Sequence, residues 1–313
     1  MDKDTLQVIE KNLIESVNWV AKNSASMDYH RVEGELSPVA LQTAILNNLA
    51  PYKKTVESLS TQLQCGFEIE FYLQPEKIPE LENQIAEILP DYQMLLITLD
   101  EVPKTNHRNF YLIKENTGQA PKNMQSYEIV SPIIDYKSLP YFINSLFNLL
   151  QKMNAQDNDS IGFHLHVSTQ SATKISPIAL LYFLDQEDVL NNKERKYTRD
   201  IIKQFFNYAP DSWQWIFEEV TRKCYNVNLL HYDANNHIEL RTIGGNGYLD
   251  DAEATLNNCF NCFIAFEKAL HTPANQVAKN ILQTYSLKQE VLHTQKLSYA
   301  DLSKKNQQQV WFV

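Results

Sequence analysis

Residues 66–73 read GFEIEFYL, and their strict alternation decides the fold: Glu68, Glu70 and Tyr72 fall on one side, Phe67, Ile69 and Phe71 on the other. A period of two marks a half-buried β-strand, because successive side chains of an extended chain point to opposite faces. Neighbours on one face then stand about 6.6–6.8 Å apart. Working outward, the same pattern predicts strands in YQMLLITLDEV (92–102), RNFYLIKE (108–115), SYEIVSPI (126–133, ended by Pro132) and GFHLHVST (162–169). CYNVNLLHY (224–232) and NHIELRTI (236–243) flank a turn-like DANN and form a hairpin pattern.

Helical periodicity fills the rest: residues 4–22, 38–62, PELENQIAEIL (79–89), 138–153, 176–190, 194–208, 211–222, 250–271, 274–290 and 297–309. Ser37-Pro38 opens the second of these as N-cap and first helical residue. YHRVEGEL (29–36), which contains Glu33 and Glu35, reads as a loop or short strand. Strands and helices do not alternate strictly. The expected fold is therefore α+β, a curved, mostly antiparallel sheet with helices on one face. One enzyme-sized unit over 63–272 is expected, with an N-terminal helical extension over 1–62 and C-terminal helices over 273–313.

Composition narrows the function. Hydrophobic residues make up 43% of 313 and aromatics 11%, enough for a large core. A net charge of -10 argues against nucleic acid as a partner, since phosphate backbones are held by clustered Lys and Arg. The start, MDKDTLQVIEKNLIES, lacks the basic patch and apolar run of a secretion signal, and no stretch reaches the ~20 apolar residues of a membrane span. Four cysteines are too few for a disulfide scaffold, so a cytoplasmic location is expected. Cys259 and Cys262 form a CxxC, but their i,i+3 spacing reads as the buried stripe of a helix rather than a metal site.

The wet faces of the strands carry the chemistry. GFHLHVS sets His164 and His166 opposite Phe163, Leu165 and Val167; HIELRT sets His237, Glu239 and Arg241 opposite Ile238, Leu240 and Thr242; Glu128 stands apart from Tyr127 and Ile129. An ordinary solvated sheet face mixes Thr, Ser, Lys and Glu, whereas this one is almost purely Glu, His and Arg. If the strands are neighbours, four carboxylates converge with Arg241 and neutral histidines to balance them. At ~7 Å and an effective dielectric near 20 each pair repels by roughly 2 kcal/mol, so divalent cations are expected, and removing Glu68 or Glu239 should leave the metal-free fold unharmed or slightly stabilised. A carboxylate-rich set with one imidazole suits Mg²⁺ or Mn²⁺, with zinc possible where a histidine contributes. The scarce glycines gather here too: Gly66 and Gly162 precede the ExE and HxH strands, and Gly244, Gly245 and Gly247 follow ELR. GGNG could cradle a phosphate but lacks the spacing of a Walker or Rossmann loop, so a simple turn is the better reading.

The succession GFEIEF, YEIVSP, helix, GFHLHVS, YNVNL and IELRTIGG resembles the small amidoligases of the glutamine synthetase and glutamate-cysteine ligase superfamily, over roughly residues 65–270 and in the family's order. The resemblance implies a glutamine synthetase-like catalytic sheet whose concave face binds ATP and Mg²⁺ or Mn²⁺. On it, Glu70 and Glu128 would ligate the metal near the acceptor carboxylate, and Glu68, His164 and Glu239 the metal bridging the ATP phosphates. His166 would face nucleotide phosphate, and Arg241 would stabilise the transferring phosphoryl group. Arg222, Lys223, Tyr225 and Asn228 resemble a segment that reaches phosphate or substrate, the other reading being a helix end feeding a strand. The family's acidic DGS-like turn has only a loose counterpart, Glu115 in KENTG.

The expected activity is an ATP- and metal-dependent ligase joining small-molecule or peptide carboxylates to amines through an acyl phosphate. A phosphotransferase on the same sheet, a metal-dependent hydrolase and a noncatalytic binding protein are the alternatives. Nothing in the sequence names the acid, the amine or the oligomeric state.

Overall fold

The computed structural model describes residues 39–60, 63–89, 93–97, 109–115, 119–169, 175–190, 225–229 and 236–285. Expectations for 4–22, 29–36, 194–208, 211–222 and 297–309, and for Arg222 and Lys223, lie outside the described residues.

The GFEIEFYL strand extends upstream to β1, Leu63–Leu73. Around it lie β2 (Gln93–Ile97), β3 (Asn109–Glu115), β4 (Gln125–Val130), β5 (Ile134–Asp135), β6 (Gly162–Thr169), β7 (Val227–Asn228) and β8 (Ile238–Gly244). They form one 8-stranded sheet in the order β2-β3-β4-β1-β6-β8-β7, open at β2 and β7, with β5 on β1. All pairings are antiparallel except β2 with β3. The expected α+β, mostly antiparallel sheet is what forms, and β7 does pair with β8 as the hairpin pattern required.

Helices α1 (Val39–Leu49), α2 (Lys53–Ser58), α3 (Ile78–Ile88), α4 (Leu139–Lys152), α5 (Pro177–Gln186), α6 (Ala252–His271) and α7 (Ala274–Tyr285) complete the described chain. The apolar side of β1 and β6 packs on α4: Phe163 lies 5.9 Å from Phe67 and 6.4 Å from Phe147, all sealed from solvent. Each such ring buries about 150–250 Å², which helps offset the cost of the charged face opposite. Cys259 and Cys262 sit in this core on α6, with burial raising both thiols, and Cys65 lies there too; the helix-stripe reading holds. Tyr52, just upstream of α2, stacks on Phe260 at 4.3 Å, so this part of the N-terminal segment shares the same core.

Candidate active site

Cross-strand register builds the site. Glu68 pairs with His164, Glu70 with Glu128, and His166 with Glu239, so side chains from four strands share one face. Directly opposed residues in a ladder project to the same side. Arg241 follows Glu239 on the same face by alternation, and an irregularity then shifts the phase: Phe163 pairs with Ile243 while Leu165 pairs with Leu240, one extra residue on β8. Such a bulge re-aims side chains, and here Arg241 stays on the charged face while Ile243 returns to the core. No sequence signal marks it.

Within the cluster, His164 Nδ1 lies 2.5 Å from Glu68 Oε2 and 3.8 Å from Glu239 Oε1, while its Nε2 lies 3.7 Å from Glu70 Oε1. His166 Nε2 lies 3.1 Å from Glu68 Oε1. Arg241 forms a close ion pair with Glu239, and Asn228 Nδ2 donates to the other oxygen of that carboxylate at 2.8 Å. Asn228, which belongs by resemblance to a segment reaching phosphate or substrate and on the other reading to a helix end feeding a strand, holds Glu239 through this bond. Tyr225 is buried. Gly162 N–H donates to Glu70 Oε2 at 2.6 Å, and Tyr248 Oη donates to the Glu70 carbonyl. His237 Nε2 is 3.2 Å from His166 Nδ1, with the rings stacked.

The electrostatics correct the picture of evenly shared repulsion. Burial pushes the Glu68 carboxyl up, but His166 and His164 outweigh it and hold the group well below the usual carboxylate range. Burial likewise opposes Glu239, yet His166, Arg241 and His164 bring it down to about 2. Burial disfavours the charged form of His166, and Glu68 overcomes it, so that histidine is raised above its ordinary value. The unrelieved carboxylate is Glu128: burial first, then Glu68, Glu115 and Glu70, push it well above the usual range.

This asymmetry makes a pH prediction for the chelator-treated protein. The lowered Glu239 contributes stability above its ordinary value of 4.5 that is lost as pH falls from there toward 2. The raised Glu128 binds its proton more tightly in the folded state, so its contribution declines as pH climbs above 4.5 through the folded value. Glu128→Gln should therefore raise the neutral-pH melting temperature in chelator and flatten the decline between pH 4.5 and 7. A lower melting temperature for the variant at pH 7 would contradict this.

The donor set fits a divalent cation. Among the described residues Glu68, His164 and Glu239 each offer a ligand atom, all within 4.8 Å of one another, and this is the set the resemblance implied for the phosphate-bridging metal. The glycine loop does not fit a phosphate cradle. Gly245 and Gly247 take positive φ values of 102° and 81°, and the amides of Gly247 and Leu249 are both taken by the Asp157 carboxylate, at 2.7 and 2.9 Å. The turn reading holds.

A family model described as "Putative amidoligase enzyme" matches residues 61–235. The chain belongs to this amidoligase family. The match bears out the resemblance read from the motifs and covers Glu68, Glu70, Glu128, His164 and His166; it stops short of Glu239 and Arg241, which the β6–β8 pairing brings to the same face. A solved structure described as a novel glutamine synthase homolog is 14% identical, covers 88% of this chain and 76% of its own, and has a TM-score of 0.34. Another, described as "GmaS/ADP complex-Conformation 1", is 15% identical, covers 85% and 74%, and has a TM-score of 0.31. No curated protein matches. Among the described residues no helix is long and apolar enough to cross a membrane.

Proposed function

We propose that this amidoligase-family chain is an ATP- and divalent-metal-dependent carboxylate-amine ligase working through an acyl phosphate. The observation that carries the reading is the clustering of Glu68, His164 and Glu239 on the charged sheet face of a member of this family. Glu68, His164 and Glu239 would hold one Mg²⁺ or Mn²⁺, and Glu70 and Glu128 would hold a second. Bound there, such ions neutralise phosphate charge and polarise the phosphoryl oxygens.

The chain's own residues supply position and charge. His164 separates Glu68, Glu70 and Glu239 and keeps their oxygens converging; Asn228 and Arg241 fix both oxygens of Glu239; Gly162 N–H fixes one oxygen of Glu70. Arg241 and His166 then face the transferring phosphoryl group. In the first step a substrate carboxylate oxygen bonds to the γ-phosphorus as the bond to the ADP oxygen breaks. In the second the amine nitrogen bonds to the acyl carbon, phosphate leaves, and the nitrogen gives up its proton. Phosphoryl transfer depends mainly on positioning and charge stabilisation, so this face has the right contents without a nucleophilic Ser or Cys. Arg222 and Lys223 would reach the nucleotide from the segment before β7. We place the protein in the cytoplasm, acting on small-molecule or peptide substrates, with the segments flanking 63–272 shaping substrate choice.

Hydroxylamine tests this, because a strong nucleophile captures an acyl phosphate whatever the natural amine. Across a panel of carboxylates, ADP release with Mg²⁺ should be matched by hydroxamate. A stable phosphorylated product without hydroxamate would favour a phosphotransferase, and ATP-independent cleavage of an ester or amide a hydrolase; either result overturns the ligase.

A further inference from the structure

Beyond Glu70 and Glu128 the charged face carries one more row that the proposed chemistry does not use. In it Ser126 pairs with Tyr72 on one side and with Glu115 on the other, so all three project to the face of Glu128. Tyr72 is sealed from solvent, and its hydroxyl is engaged by Ser160 at 2.8 Å and by the Gln119 N–H at 3.1 Å, which makes it a fixed wall. Ser126 differs. It is 1% exposed, and its hydroxyl has no hydrogen-bond partner among the described residues. A buried hydroxyl without a partner is destabilising, so its retention points to a partner that arrives from outside. It is flanked on its own face by two carboxylates, Glu115 across the ladder and Glu128 two residues on, and no Lys or Arg of β1, β3, β4 or β6 shares that face, whose histidines lie at the Glu68 end. An oxygen acceptor between carboxylates suits an ammonium group with its several N–H donors.

We infer that Glu115 and Ser126 form a subsite for a protonated amine on the substrate, remote from the carboxylate that reacts. The inference rests on the ligase reading for its other end: the reacting carboxylate lies at the Glu70/Glu128 row or nearer Glu68. One row along the strands is about 6.6–6.8 Å, so the favoured acid carries its ammonium group roughly that far from its carboxylate, as an ω-amino acid or an amino-bearing side chain does. A plain fatty or dicarboxylic acid would leave the Ser126 hydroxyl unpaired.

Calorimetric titration of the Mg²⁺-loaded full chain with 6-aminohexanoate and with hexanoate isolates the ammonium group, and 4-aminobutanoate and 8-aminooctanoate test the length. The amino acid of matching length should bind about tenfold or more tighter than hexanoate, as a charge-assisted contact implies. Glu115→Gln should remove most of that preference and Ser126→Ala should reduce it several-fold, with hexanoate affinity unchanged in both. Equal affinity for the two acids, no binding of either, or a preference that survives Glu115→Gln overturns the subsite. Carboxylate-dependent ADP release by the same preparations keeps the two readings separable. Turnover without an ammonium preference sinks the subsite alone, and a preference abolished by Glu115→Gln without turnover sinks the ligase alone.

Discussion

Glu239→Gln is expected to lower carboxylate-dependent ADP release by about 10²–10³-fold or more, the scale of losing one preorganised electrostatic group at a reacting centre. The change keeps the side chain's shape and removes its charge. Asn228 and Arg241 then face a neutral amide, and the ligand set of Glu68, His164 and Glu239 loses an anion. Its effect on the fold separates this site from a merely crowded patch of acids. Even repulsion would make the variant as stable as the wild type or more so in chelator; the paired, ionised Glu239 seen here predicts a loss of about 1–3 kcal/mol. Glu128→Gln should go the other way. Thermal melts of both variants in chelator, beside ADP-release rates in Mg²⁺, check the pair of signs.

Phe163→Ala should cost about 3–5 kcal/mol, the range for deleting a fully buried aromatic ring. Phe163 is 0% exposed between Phe67 and Phe147, and it precedes His164 on β6. A cavity beneath β6 loosens the strand that carries both histidines. Stability and metal affinity should therefore fall together, which urea unfolding and metal titration would measure. A large loss of stability with unchanged metal affinity would mean that β1 and β8 keep His164 of β6 in place without the ring beneath it.

Much of this site was legible because a strand leaves its residues little freedom. Once GFEIEFYL, GFHLHVS and HIELRT are extended, alternation alone puts Glu68 with Glu70, His164 with His166, and Glu239 with Arg241. Neighbourhood was the conditional step, and the register of β1 with β4 and β6, and of β6 with β8, meets the condition. What alternation could not reveal depends on contacts distant in sequence. The extra residue on β8 between Leu240 and Ile243 has no composition cue. Asn228 meeting Glu239 needs β7 against β8, and Gly162 meeting Glu70 needs residues 92 apart in the chain. The charge balance was misjudged for the same reason: pairwise repulsion treats the carboxylates alike, while the fold puts His164, His166 and Arg241 beside Glu68 and Glu239 and leaves Glu128 among acids. Arg222 and Lys223, assigned by resemblance, fall outside the described residues and stand as proposals.

Mn²⁺ affinity decides whether Glu68, His164 and Glu239 hold a divalent cation, since the free ion gives an EPR signal that its bound form loses. Wild-type protein titrated with Mn²⁺ in the presence of ATP should be compared with Glu68→Gln, His164→Ala and Glu239→Gln. Glu187→Gln serves as control, because Glu187 pairs with Lys268 away from this face. Each of the three site variants should weaken Mn²⁺ binding by at least about tenfold while the control binds as wild type does. Mn²⁺ affinity unchanged in all three site variants would contradict a cation held by these residues.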